Sequence, residues 1–380
     1  MNRRHFNQLL FIALTTIFLF AGNSLAADTT AKETPAKETD AKTYQQTVEK
    51  AIGFLQKTQN ENGSFGKQPT PAITAICIEG VLRAGRSPDD PFVAKSLKYI
   101  TSYIQPDGGI YAKDSPVQNY ETCLSLLCLN AANKDGRYTK QVKNAENFVK
   151  NIQWTADKSI DEADFKFGGA GYDKEKRPDM SNTGFLMDAL KATGNGPNDP
   201  AMKNALIFIS RCQNLESEHN QAPFAGKIND GGFVYSPVGT GKAPNTPDMP
   251  EGSLRSYGSM TYAGLKSMIF AGVSKDDKRV KAATEWVKKN YDLESNPGMG
   301  KAGLYYYYHT FAKTLDAIGE ESFSDAKGVA HNWRAELLAE LAKRQQADGS
   351  WLNESDRWLE KDPSLVTGYA LMTLSYCKPK

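Results

Sequence analysis

The sequence predicts an all-α chain, an (α/α)6 toroid of six helical hairpins, and three observations carry that prediction. A short recipe of Gln or Asn, an acidic residue or Asn, Gly and an aromatic recurs along the chain. Its copies are "QNENGSF" (59–65), "QPDGGIY" (105–111), "NDGGFVY" (229–235) and "QQADGSW" (345–351). Each copy follows an amphipathic helical run and precedes a second run that is apolar nearly all round. No stretch shows convincing strand character.

The hairpins read in order as follows. "YQQTVEKAIGFLQKTQ" leads to "PAITAICIEGVLRAG", and "FVAKSLKYITSYIQ" to "NYETCLSLLCLNAAN". The third pair is "VKNAENFVKNIQW" with "MSNTGFLMDALKATG", and the fourth "MKNALIFISRCQN" with "SYGSMTYAGLKSMIFAG". The fifth is "VKAATEWVKKNYD" with "GLYYYYHTFAKTLDAIG", and the sixth "NWRAELLAELAKRQQ" with "SLVTGYALMTLSYC". First helices carry Lys, Glu and Gln on one face, so they are predicted half exposed. Second helices carry Gly and Ala among their apolar residues, which allows close packing in the interior. An inner ring of six covered by an outer ring of six satisfies both patterns. A closed ring also needs no capping repeats.

The recurring recipe is predicted to be a structural clasp. Its Gln ends an outer helix, where an amide can bond carbonyls without intrahelical partners. Asp or Asn beside Gly suits a turn that needs a left-handed residue. The aromatic then folds back onto a neighbouring outer helix. Asp107, Asp230 and Asp348 are accordingly read as turn residues, not catalytic acids.

The ends of the chain carry different signals. "MNRRH", the apolar "LLFIALTTIFLFA" (9–21) and "SLA" (24–26) compose an export signal over residues 1–26. Arg3, Arg4 and Phe6 fit part of a twin-arginine signal, so that route and the general secretory one both stand. Residues 27–43, "ADTTAKETPAKETDAKT", lack large apolar side chains and are predicted to be a disordered linker. The toroid domain then occupies 44–380. No membrane span is predicted in the mature chain, and a periplasmic or secreted location follows.

Composition excludes some partners. With 40% hydrophobic and 24% charged residues and a net charge of +2, the chain gives no electrostatic reason to bind nucleic acid. Five cysteines sit in apolar helical runs without metal-ligand spacing and are read as small core residues. "GTGKAPNT" (239–246) lacks the spacing of a phosphate loop. The long insertions at 162–182 and 215–255 are expected at one end of the ring, the second as a lid. Asp179, with Ser181 and Asn182, is read as the N-cap of the third inner helix.

"AIGFLQKTQNENGSF" and "ELLAELAKRQQADGSW" resemble the QW repeats of the squalene–hopene cyclase and protein prenyltransferase β-subunit superfamily. The resemblance spans 44–377, with the third and fifth copies degenerate. It implies a toroid whose central funnel holds an isoprenoid chain, with reactive groups at the N-terminal ends of the inner helices. Cyclases of this type protonate an alkene with a D-x-D-D-T-A type motif. "NYETCLSLL" (119–127) is taken as the match, with Glu121 at the last Asp and Tyr120 at the acid position. Prenyltransferases hold zinc with Asp, Cys and His. "YYHTFAKTL" (307–315) resembles their histidine helix, which puts His309 at the zinc histidine, while Tyr257 and Ser259 stand where Asp and Cys would be. One imidazole cannot complete a tetrahedral site, so neither metal nor cofactor is expected. The C-G-E-Q of thioester toroids is missing.

What remains is a funnel mouth rich in hydroxyls and rings. His309, Tyr308, Tyr257 and Glu121 are the candidate catalytic residues, and Tyr120, Tyr257, Tyr262, Tyr305 and Tyr308 the candidate ligand contacts. Successive helical residues are about 100° apart, so at most two of Tyr305–Tyr308 point inward; Tyr305 with Tyr308, or Tyr308 with His309, are the expected pairs. The leading expectation is an exported protein that binds an isoprenoid or other apolar small molecule or lipid. Two alternatives are a non-catalytic envelope scaffold and a polysaccharide-active enzyme with Glu121 and Asp188 as its paired acids.

Overall fold

The computed structural model describes residues 30–238 and 249–379, with side chains from residue 38 onward. The export signal and the "GTGKAPNT" stretch lie outside the described residues.

Among the described residues twelve long helices alternate between two concentric rings. In chain order they are α1 (Thr30–Thr58), α2 (Pro71–Arg83), α3 (Pro91–Thr101), α4 (Gln118–Ala131), α5 (Thr139–Ile152), α6 (Met180–Ala192) and α7 (Pro200–Arg211). A one-turn α8 (Ala225–Ile228) precedes α9 (Gly258–Phe270), α10 (Lys278–Lys289) and α11 (Leu304–Ile318). A ribbon of β1 (Phe323–Ser324) and β2 (Ala330–His331), absent from the sequence reading, leads to α12 (Trp333–Arg344) and α13 (Pro363–Leu374). The inner helices pack in the cycle α2, α4, α6, α9, α11, α13 and back to α2, so the ring is closed. At the closing seam a Cβ on Gly80 would meet Leu371, and one on Gly368 would meet Cys77. Only hydrogen fits at either position.

Helix α1 begins at Thr30, so 30–43 is helical where the sequence reading has a disordered linker. The reason is propagation: buried Val48, Ala51 and Leu55 anchor α1, and each further residue adds a hydrogen bond to a helix already nucleated. Side chains 38–43 stay exposed or half exposed, in keeping with their lack of large apolar groups.

The clasps are as regular as the rings. The backbone N–H of Phe65, Ile110, Ala170, Phe233 and Trp351 each donates to a threonine Oγ1 on the following inner helix: Thr74, Thr122, Thr183, Thr261 and Thr367. The glutamine reaches further than expected. Nε2 of Gln153, Gln213 and Gln345 bridges a clasp-glycine carbonyl and a carbonyl of the next outer helix, at Ala201, Arg279 and Thr47. Asp107, Asp230 and Asp348 each accept an N–H two residues on, as turn residues do. Phe65 meets Phe92 of α3 edge-on, and Tyr111 packs on Phe148 of α5. Gly168 and Gly349 have positive φ and lie against Asn204 and Lys50, where a Cβ would come within 1.8 and 2.3 Å of a carbonyl oxygen. Gly349 and Gln345 thereby fasten the last hairpin to the first. All five cysteines are free and buried.

Candidate functional site

Every outer-to-inner connection arrives at one end of the toroid, where the inner helices begin. A cavity of about 320 Å³ opens there, and all six inner helices line it. That volume is at the small end of ligand pockets, which run to about 300–1,000 Å³.

The clasp threonine sets which residues face the cavity. The residue two positions before it lines the wall in five hairpins: Ala72, Tyr120, Ser181, Ser259 and Leu365. The residue two positions after it adds Phe185 and Tyr369. The insertions contribute Tyr172 and Tyr235, and the turn before α13 adds Trp358, Leu359 and Glu360. Of the candidates named from sequence, Tyr120, Glu121 and Tyr257 line the cavity; His309, Tyr262, Tyr305 and Tyr308 do not.

Helix phase explains the difference at α11. Tyr306, not Tyr305 or Tyr308, turns toward the cavity. Tyr305 and Tyr308 stack edge-on against each other, and the Tyr308 hydroxyl donates to the Leu293 carbonyl. Tyr307 donates to the Asp292 carbonyl, and Tyr262 lies between Tyr307 and Phe311. These four rings cement α11 to α9 and to the loop before it.

The cavity floor is a closed set of four rings. Tyr120 meets Phe185 at 5.3 Å, Phe185 meets Tyr306 at 5.9 Å, and Tyr306 meets Tyr369 at 6.1 Å. The Tyr369 and Tyr120 hydroxyls lie 3.1 Å apart and complete the circuit. His309 sits beyond Tyr369, ring to ring at 6.1 Å, with Nδ1 lacking a partner. Burial first, then Lys313, pushes its imidazole well below the usual range, so it is neutral.

Deeper still lies a buried charge layer. Asp188 pairs with Lys266 at 2.5 Å and Lys313 at 2.8 Å, all three nearly inaccessible. Burial alone would raise the Asp188 pKa, but the two ammonium groups outweigh it and hold the carboxyl at about 2. Burial, opposed by Asp188 and aided by Lys313, pulls Lys266 down to about 8. Asp188 is therefore committed below the floor and does not face Glu121 across a cleft, which removes the acid pair that a polysaccharide-active reading requires.

Two carboxylates do line the cavity. Glu360 Oε1 accepts from the backbone N–H of Tyr305 and Tyr306, capping α11, and Oε2 accepts from Asn353 Nδ2. Glu121 Oε2 accepts from Ala112 N–H. Burial raises the pKa of both, with those donors opposing it. Asp179 caps α6 through Asn182 N–H, as read from sequence, and burial pushes it up to about 6.

The family model of the squalene-hopene cyclase C-terminal domain matches residues 65–235. Among solved structures, the type II terpene cyclase MstE from Scytonema, in complex with its product merosterolic acid A, matches with a TM-score of 0.53 at 11% identity. The match covers 90% of this chain and 99% of that one. The complex of MstE with its substrate, geranylgeranyl dihydroxybenzoate, gives 0.54 at 11% with the same coverage. A protein from Actinoplanes gives 0.51 at 14%, covering 88% of this chain and 99% of that one. No curated protein matches the chain. Residues 65–235 thus resemble the squalene-hopene cyclase C-terminal domain, and the chain as a whole has a terpenoid cyclase-like fold.

Within this terpenoid cyclase-like toroid the D-x-D-D-T-A pattern has a better counterpart than "NYETCLSLL". "DMSNTG" (179–184) opens α6 and keeps the first Asp and the Thr, which is the clasp threonine of that hairpin. The acid position of the motif is thus the one two residues before the threonine, which faces the cavity in every clasped hairpin. Ala72, Tyr120, Ser181, Ser259 and Leu365 hold it here, and none is an acid. Register against the threonine was the signal that sequence reading left unused. Tyr257 and Ser259 line the cavity while His309 lies under its floor, so the three zinc-triad positions do not converge on one point of the wall. Among the described residues no group of three His, Cys, Asp or Glu side chains is placed to hold a metal ion, and no helix is long and apolar enough to cross a membrane.

Proposed function

We propose that the chain is exported and binds an isoprenoid or other apolar molecule in the funnel at the N-terminal ends of its inner helices. The supporting observation is the aromatic wall, in which Tyr120, Phe185, Tyr257, Tyr306, Trp358 and Tyr369 surround a cavity that the ring leaves unfilled. A centre meant only as a scaffold gains stability by filling such space. Solved relatives lend weight, since the cyclase MstE holds a geranylgeranyl compound and its cyclised product. Binding rather than alkene protonation is the reading here, because the five register positions that would deliver the proton carry no acid.

Native mass spectrometry of the protein purified from its own cell envelope tests this reading. A co-purified apolar molecule is expected, and Ser181→Trp, which fills the cavity, should lower its occupancy about tenfold. An empty protein that also ignores added farnesol would refute ligand binding. Finding the chain in the cytoplasm with its first 26 residues intact would refute export.

A further inference from the structure

The reading of the funnel as a ligand site leaves the ligand's polar end unspecified, and the charges around the cavity bear on it. Among the described residues no lysine, arginine or histidine lines the wall. Glu121 and Glu360 do, and they are 2% and 1% exposed.

Six helix N-termini converge on the cavity, which would ordinarily favour an anion. The chain has already used them. Thr70 caps α2, Asp179 caps α6, and Asp362 caps α13. Glu360 caps α11, and Asn296 Oδ1 accepts the Ser259 N–H of α9. In α4 the Asn119 N–H donates to the Tyr172 carbonyl. A phosphate entering here would leave water, meet two carboxylates and find these backbone donors occupied. That desolvation has no partner to offset it. Arg357 stacks 4.4 Å from the Trp358 ring centroid, on the exposed stretch 356–359.

A cation meets the opposite surroundings. Ring faces attract it, most strongly where water is excluded, and a buried carboxylate adds to the attraction. We propose that the funnel takes a ligand whose apolar chain ends in a cationic nitrogen, an amine or quaternary ammonium, and that it rejects phosphate-headed chains. Glu360 accepts only from N–H donors at its identified contacts, so it holds its place as a carboxylate. Glu121 stands on α4 as the second carboxyl group of the wall.

Calorimetric titration of the mature chain with octyltrimethylammonium, octanol and octyl phosphate, below their micelle concentrations, tests the head-group preference apart from the isoprenoid. The ammonium should bind at least about tenfold tighter than octanol, and the phosphate more weakly than octanol. Glu121→Gln and Glu360→Gln should each lower the ratio of ammonium to octanol affinity at least about threefold, the ratio being read within each variant so that any general change in the funnel cancels. Octyl phosphate binding as tightly as the ammonium, or an ammonium preference that survives both substitutions, overturns the proposal. Farnesol run alongside separates the two readings. If farnesol binds and the ammonium shows no preference, the head-group inference alone fails; if nothing binds, the funnel reading fails with it.

Discussion

The rim of the toroid and its hub are built on the same six inner helices, yet they follow opposite rules. At the rim one arrangement recurs five times, a backbone N–H on a threonine hydroxyl. At the hub nothing recurs: Asp188, Lys266, His309 and Lys313 come from three helices and occur once each. A repeated contact is set by the geometry between neighbouring hairpins, which the ring makes nearly identical all round. A hub contact is set by which side chain each helix turns inward, and that differs from helix to helix. The rim fixes the fold and the hub individualises it.

The largest expected effect comes from breaking one clasp. A Cβ on Gly168 would sit 1.8 Å from the Asn204 carbonyl oxygen, and its φ of +81° disfavours any side chain. Gly168→Val should cost more than about 4 kcal/mol and leave little folded protein, because neither backbone can yield. Gly194→Ala is the control. It shares a positive φ but has open space around its Cβ, so a loss of about 1–2 kcal/mol is expected. Urea unfolding followed by far-UV circular dichroism compares them. Equal losses would mean that the close approach contributes nothing.

Next comes the hub. Asp188→Asn leaves two buried ammonium groups without their counter-charge, and a loss of about 3–5 kcal/mol at pH 7 is expected. The sign of its pH dependence follows from the depressed carboxyl. Asp188 binds its proton less readily folded than unfolded, so its contribution is present above the ordinary carboxylate range and fades as pH falls toward about 2. The gap between wild type and variant should therefore narrow between pH 4 and pH 2. A gap independent of pH would show that the loss is one of packing.

Sequence carried the glutamine, glycine and ring of each clasp, and missed the threonine that receives its N–H. Gln, turn residue, Gly and ring stand close together in the chain, and their chemistry is local, so "QQADGSW" announces its own conformation. Asp179 as a cap was legible for the same reason. The hub was not. Which of four consecutive tyrosines faces the axis depends on the phase of α11 relative to five other helices, and Tyr305 and Tyr308 turned outward where Tyr306 turned in. Lys266 and Lys313 look like ordinary surface residues until the ring places both on Asp188. Trp358 and Leu359 reach the mouth through two successive left-handed residues, which no propensity of Trp or Leu announces. The helical stretch 30–43 shows the reverse error: a composition too polar to pack is still carried as helix by the anchored part of α1 that follows it.

A smaller effect is expected where the ring closes. Gln345→Ala removes hydrogen bonds to the carbonyls of Thr47 and Gly349 at the junction of the last and first hairpins. Water can reach this half-buried position, so the loss should be about 1–3 kcal/mol. Hydrogen exchange would show whether the seam opens first: faster exchange confined to α1 and α12 supports a local seam, and uniform acceleration refutes it.

The smallest effect should come from Lys266→Met, and it separates charge balance from charge count at the hub. Asp188 keeps Lys313 at 2.8 Å, so the variant holds one anion against one cation where the wild type holds one against two. Met fills most of the lysine's volume, and its thioether suits the nearby Phe270 ring. The hydrogen bond lost to Asp188 opposes the desolvation cost removed with the ammonium, and the net change should stay within about 1 kcal/mol at pH 7. The folded pKa of Lys266 lies at about 8, below its ordinary value, so the cost of its charge is fully present below that pH and is relieved as pH rises toward about 10. The wild type should accordingly gain on the variant between pH 8 and pH 10. If Lys266→Met instead destabilises as severely as Asp188→Asn, the layer works as an indivisible triad, and the hub shares the rim's intolerance of change.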